Sequence, residues 1–168
     1  MEKTPSENDS VVTLDDAIRT LQNKNLEMYD AVKETQNLIY SHRQSHGHTV
    51  QPKSIMESRF TPAREAFEKG MASCGVTANI SAAILRELGF QVKLVHGESE
   101  DSVDHAWIAV LNKDTNEYDQ FDLTREDLSI PETHKVKEMV DSFEDIREQI
   151  EDDHKTLHQR RKERGFEE

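Results

Sequence analysis

Gly70-Met71-Ala72-Ser73-Cys74-Gly75-Val76-Thr77-Ala78 holds the only cysteine among 168 residues. It runs into an apolar pattern in which Ala78, Ala82, Leu85 and Leu88 form one stripe, with Ile80 and Ile84 beside it. That periodicity predicts a helix over about 74–88, stopped by Gly89. The helix carries few charges and is therefore expected to be buried. Cys74 then stands at or near a helix N-terminus, where the macrodipole and unpaired backbone N–H groups stabilise a thiolate. His105 follows 31 residues later and Asp122 another 17. This is the order needed for a thiol nucleophile, its base and the group that orients the base.

Downstream, Phe90–His96 reads as a strand and His105–Leu111 gives the richest strand signal in the chain. A turn at Lys113-Asp114-Thr115-Asn116 and a returning strand over Glu117–Leu123 complete a β-hairpin. With the turn centred between Asp114 and Thr115, paired residue numbers sum to 229. Asp122 then lies opposite Trp107, on the face of His105 and diagonal to it. Such diagonals span about 7–8 Å between Cα atoms, within reach of an imidazole–carboxylate contact. Asp119 falls opposite Val110, on the other face and roughly 16 Å from His105 at about 3.3 Å per residue. Register therefore selects Asp122, and a shift of one residue would reverse the choice.

Upstream, residues 1–10 read as a disordered tail. Leu14, Ile18, Leu21, Met28, Val32 and Ile39 recur at helical spacing, which predicts one long helix over about 13–45, opened by a Thr13/Asp16 capping box. Residues 42–53 are polar and His-rich and are expected to form a loop. Thr61-Pro62 opens a short helix that ends near Gly70. At the other end, Val136, Met139, Phe143, Ile146, Ile150 and Leu157 approximate heptads and predict a helix over about 132–164. The uses open to this stripe are packing on the N-terminal helix, homodimerisation, or gripping a partner.

Composition limits the partners. Apolar residues make up 34% of the chain, charged residues 33%, and the net charge is −13, from 21 basic and 34 acidic residues. Nucleic acid and anionic membrane both need a positive footprint, so neither is expected. No apolar run approaches a membrane span, and the first ten residues lack the apolar segment of a signal peptide. A lone cysteine excludes an intrachain disulfide and fits a reducing cytoplasm, with export as an effector left open. His42, His46 and His48 invite a metal reading, but their polar stretch has no second ligand cluster of recognisable spacing, and a solvated loop is the expectation. The acidic loop (Glu98, Glu100, Asp101, Asp104) lacks the spacing of a calcium loop and reads as a solvated turn.

These motifs together resemble the core of the transglutaminase-like superfamily, the papain-related cysteine enzymes. The resemblance covers residues 61–124, about 40% of the chain. It rests on Ser73-Cys74-Gly75 with Ala78, on Leu85-Arg86-Glu87-Leu88-Gly89, on the strand Val92–Gly97, and on His105-Ala106-Trp107. The family's Asp-Pro-Thr element reads Asp122-Leu123-Thr124, with leucine in place of proline, and the tryptophan usual before that aspartate is absent.

The resemblance implies an α+β fold in which a Cys-bearing helix packs on a small antiparallel sheet, papain-like, here flanked by long N- and C-terminal helices. The expected organisation is a tail over 1–10, a helix and loop over 11–53, a catalytic core over 54–130 and a helix over 131–168. The resemblance also implies acyl transfer through a thioester, with Cys74 as nucleophile, His105 as acid and base, and Asp122 as its orienter. The backbone N–H of Cys74 is the expected oxyanion donor, with a second donor coming from residues 54–72. A hydrolase on protein amides, protease or glutamine deamidase, is the leading reading, with no cofactor and no metal. Trp107 is expected in the core first and as a wall of the substrate site second. The alternatives are an amine-dependent cross-linker and a non-catalytic protein-binding module that works through its acidic helices.

Overall fold

The computed structural model describes residues 11–47, 49–102 and 104–163. The expected tail over 1–10, His48, Arg164 and the side chain of Leu157 lie outside the described residues. The helices are α1 (Leu14–Gln22), α2 (Met28–Ser45), α3 (Ile55–Phe60), α4 (Ala63–Lys69), α5 (Cys74–Glu87) and α6 (Arg147–Glu163). The strands are β1 (Val92–Glu98), β2 (His105–Asn112), β3 (Glu117–Phe121) and β4 (Lys135–Val140). Among the described residues these strands form one antiparallel sheet in the order β3-β2-β1-β4. Helices gathered against a small antiparallel sheet make this an α+β architecture. No helix among the described residues is long and apolar enough to cross a membrane.

The Cys-bearing helix begins and ends as its sequence predicts. Ser73 caps α5 by accepting from the N–H of Val76 at 3.2 Å, and Gly89 follows in a positive-φ conformation at +99°. Both flanks of α5 are buried. Ala78, Ala82 and Leu85 pack on the sheet face built from Leu94, Ile108, Val110 and Phe121. Val76, Ile80 and Ile84 pack on α1, α2 and α4 through Leu14, Leu21, Leu38, Ile39 and Phe67. Each fully buried isoleucine or leucine here contributes about 1.5–3 kcal/mol relative to exposure. The β2–β3 register pairs Ile108 with Phe121 and Val110 with Asp119, so the sum of 229 holds.

The expected 13–45 helix is two helices. The capping box at Thr13 and Asp16 is present, but the chain turns after Gln22, and Asn25 takes a φ of +51°. Asparagine tolerates that left-handed conformation better than most residues, so Asn23-Lys24-Asn25 is a stop that periodicity alone does not register. α2 then runs through the first part of the expected 42–53 loop. His42 is buried there, with its ring stacked on Phe67 at 3.9 Å and Nε2 at 2.8 Å from the Phe67 carbonyl. α3, capped by Ser54, is an additional element.

The expected helix over about 132–164 is corrected more deeply, because it starts with a strand. β4 pairs with the free edge of β1, a 3-10 turn follows over Phe143–Ile146, and α6 comes after it. Phe143 and Ile150 are buried in the same core as α5 and the sheet, while Val136 and Met139 are partly exposed on β4. The six residues Lys-Val-Lys-Glu-Met-Val fit either period; pairing with a distant strand decides between them. Lys135, Lys137 and Glu138 make β4 a charged edge, which discourages pairing with a further strand.

β1 and β4 change register between His96 and Gly97, and at Gly97 the two backbones nearly touch. A Cβ added there would lie 2.2 Å from the Lys135 carbonyl oxygen and 2.6 Å from the Trp107 ring. Gly97→Ala must push β4 off β1. The expected loss is about 1–3 kcal/mol, with a Tm fall of roughly 2–4 °C per kcal/mol for a chain of this size. Thermal unfolding followed by circular dichroism checks it, and an unchanged Tm contradicts the close approach.

Candidate active site

Three elements bring the expected residues together. Cys74 is the first residue of α5, His105 the first of β2, and Asp122 the residue after β3. Nε2 of His105 donates to Oδ2 of Asp122 at 2.8 Å. The other ring nitrogen, Nδ1, is left for the Cys74 thiol, which the imidazole favours as a thiolate. Cys74 is half-buried, the His105 side chain is 15% exposed and that of Asp122 is 1% exposed.

Asp122 is held by more than its histidine. Oδ2 also accepts from Nε2 of His134 at 3.0 Å, and Oδ1 accepts from the N–H and hydroxyl of Thr124 at 3.0 and 2.5 Å. From behind, Gln36 of α2 donates to the carbonyls of Leu123 and Arg125 at 3.1 and 2.7 Å, and the Tyr40 hydroxyl donates to the Leu123 carbonyl at 3.1 Å. The N-terminal helices thus fix the loop that carries the carboxylate. Leu123, where the family pattern has proline, is buried.

These contacts set the charges. Burial pushes the Asp122 carboxyl up, but hydrogen bonds from His105, Thr124 and His134 outweigh it and hold the group at about 2. Burial pulls the His105 imidazolium down, and the hydrogen bonds to Asp122 and Cys74 override it, bringing the group to about 9. Burial pushes the Cys74 thiol up; the His105 hydrogen bond, the Arg59 charge, the imidazolium charge and a backbone hydrogen bond from Ala106 together lower it to about 7. Thiolate and imidazolium therefore coexist between about pH 7 and 9.

Trp107, expected in the core first and as a substrate wall second, is 1% exposed and offers almost no surface to a ligand. Its indole N–H donates to Gln120 Oε1 at 2.7 Å, and its ring lies 5.6 Å from that of His105 and 5.0 Å from that of His134. It backs both histidines from inside. An open cleft of about 320 Å³ reaches His105 from the other side, lined among others by Glu100, Asp101, Thr124, Arg125 and His134.

His134, Arg59 and Asp104 are neighbours of the site that sequence reasoning does not single out. Asp104 corrects the reading of the acidic loop as a solvated turn: its side chain is 0% exposed and pairs with Arg59 Nη2 at 2.7 Å. Its position next to His105 was the one available signal. His134 has no motif around it, since β4 was itself unexpected.

Among the described residues, His105, Asp122 and His134 have donor atoms within 4.8 Å of one another, close enough to share a cation. Both imidazole Nε2 atoms already donate to Asp122, so hydrogen bonding accounts for the cluster. His42 and His46 instead interact with each other, Nε2 to Nε2 at 3.2 Å.

A family model described as the transglutaminase-like superfamily matches residues 14–122, about two thirds of the chain. The match takes in α1 and α2 as well as the Cys-, His- and Asp-bearing segments. Comparisons with curated proteins and with solved structures give no match.

Alkylation of Cys74 by iodoacetamide should rise with pH through a midpoint of about 7. His105→Gln removes both the hydrogen bond and the cation, so the midpoint should climb and alkylation at neutral pH should slow. A wild-type midpoint above 8.5, the ordinary range of a free thiol, contradicts the ion pair.

Proposed function

The chain belongs to the transglutaminase-like superfamily, and from that premise we propose that it is a cysteine-dependent acyl-transfer enzyme acting on protein or peptide amides. The observation that carries the reading is the unbroken line from the Cys74 thiol through the His105 ring to the Asp122 carboxylate, with the thiol at about 7. The binding-module reading needs a sulfur that is buried or remote from the imidazole; Cys74 is half-buried, and His105 is among the groups that lower its thiol.

The chemistry follows from the charges. The Cys74 thiolate attacks the amide carbonyl carbon, and the oxyanion forms near the first turn of α5, where the Cys74 N–H is the proposed donor. The His105 imidazolium gives its Nδ1 proton to the departing amine or ammonia, the C–N bond breaks, and a thioester remains. The imidazole, now neutral, takes a proton from the incoming nucleophile as it attacks the thioester. The C–S bond breaks and the thiolate–imidazolium pair is restored. Asp122 keeps Nε2–H of His105 occupied, so Nδ1 stays the working nitrogen. With water as the nucleophile the outcome is hydrolysis, as in a protease or glutamine deamidase; this is the favoured form. With an amine it is cross-linking.

The thioester is testable without knowing the substrate. p-Nitrophenyl acetate should give a stoichiometric burst of p-nitrophenolate and an acetylated Cys74 peptide that hydroxylamine reverses, both absent in Cys74→Ala. His105→Ala should slow acylation by roughly 10²–10⁴-fold. A folded wild-type protein that gives no burst sinks the proposal. If added primary amine accelerates turnover and is incorporated, cross-linking replaces hydrolysis as the reading.

A further inference from the structure

Arg59, in the last turn of α3, is an arginine almost wholly removed from water, its side chain 2% exposed. Nη2 donates to Asp104 Oδ1 at 2.7 Å and Nη1 to Ser58 Oγ at 3.0 Å, while the guanidinium lies 5.5 Å from the centre of the Phe143 ring. It is pressed against the start of α5. A Cβ added to Gly75 would lie 2.2 Å from Nη1, so only glycine after Cys74 lets the cation approach so closely. The carboxylate that anchors it is itself enclosed: His96 Nδ1 stands 3.4 Å from Asp104 Oδ1, and His96 Nε2 is 2.7 Å from Asp153 Oδ2 on α6.

Stability does not explain this pair. Taking both charges out of water costs several kcal/mol per ion, and an apolar pair of similar volume is commonly as stable or more so. Moreover, Arg59 Nε and Asp104 Oδ2 are buried without a hydrogen-bond partner. What the pair does supply is a fixed cation beside the sulfur.

We propose that Arg59 is a positioning residue of the thiol site: its guanidinium, fixed by Asp104 against the Gly75 backbone, is the permanent positive charge that holds the Cys74 sulfur as a thiolate. This rests on Cys74 being the acyl-transfer nucleophile. His105 is not a permanent charge: it loses its proton to the leaving group and regains one only as the incoming nucleophile attacks the thioester. Arginine stays charged at every working pH. Its charge therefore does not depend on where the His105 proton is. The Arg59 charge is among the causes that lower the thiol. The charged groups that act on the sulfur are Arg59 from α3 and His105 from β2; their counter-charges are Asp104, which also meets His96, and Asp122, which also meets His134.

The test is the pH profile of Cys74 alkylation by iodoacetamide in the full chain, with folding checked by the near-ultraviolet signal of Trp107. Arg59→Gln should move the midpoint up by about one pH unit, which is about tenfold slower alkylation below it. Arg59→Lys, which keeps the charge, should stay near wild type. Asp104→Asn removes the counter-charge and should move the midpoint down, a direction that a merely structural disturbance does not produce. If Arg59→Gln fails to fold, the lysine and Asp104→Asn arms carry the test. An unmoved midpoint in folded Arg59→Gln, or no downward shift in Asp104→Asn, overturns the inference. A wild-type Cys74 that is not alkylated near neutral pH overturns the acyl-transfer reading itself, and so the two failures are distinct.

Discussion

The burial of α5 on both flanks constrains everything else in this molecule. A helix pinned between a sheet and a layer of other helices has little solvated surface, so its flanks are Ala78, Ile80, Ala82, Ile84 and Leu85, and its charged residues, Arg86 and Glu87, sit at its exposed C-terminal end. At the N-terminus, backbone N–H groups lack intrahelical partners. A half-buried sulfur at that end sits in the field of the helix and within reach of β2, the strand against which the helix packs. The geometry of the candidate site is thus a by-product of core packing: α5 seated on β2 brings Cys74 to His105.

Asp122 depends on a different set of contacts. The residue lies just past the end of β3, where the ladder no longer fixes it, so its orientation has to come from the loop. Gln36 and Tyr40 of α2 grip the loop backbone, while Thr124 and His134 fill the carboxylate positions that His105 leaves free. A carboxylate with this many donors has one orientation available and little tendency to take up a proton. Such a carboxylate holds one tautomer of His105 and balances its charge. The family pattern's proline would stiffen such a loop through its fixed φ; here hydrogen bonds from α2 and the burial of Leu123 take over that function.

The legible parts of this fold were those written in local sequence. The helix from Cys74, its Ser73 cap and its Gly89 stop depend on neighbours a few residues away, and so does the hairpin turn whose register selected Asp122 over Asp119. The illegible parts depend on partners far along the chain. β4 is a strand because β1 has a free edge, and its six residues would serve a helix equally well. Arg59 and Asp104 are 45 residues apart and meet only once α3 and the start of β2 have both packed against α5. Asp104 reads as one more solvated acid among Glu98, Glu100 and Asp101, and only its place beside His105 sets it apart. His134 was hidden twice over, by its plain surroundings and by the misreading of the segment that follows it.

A net charge of −13 opposes the formation of a further anion such as a thiolate. The resolution lies in distance and screening. Exposed carboxylates more than about 8–10 Å away are largely screened at physiological ionic strength, whereas charges enclosed beside the sulfur are not. Within that enclosure the balance is local. Asp122 pairs with His105 and Asp104 with Arg59, and the two cations are among the causes that lower the Cys74 thiol. The acidic exterior and the electropositive thiol site are therefore independent features, and composition, which identified the first, could say nothing about the second.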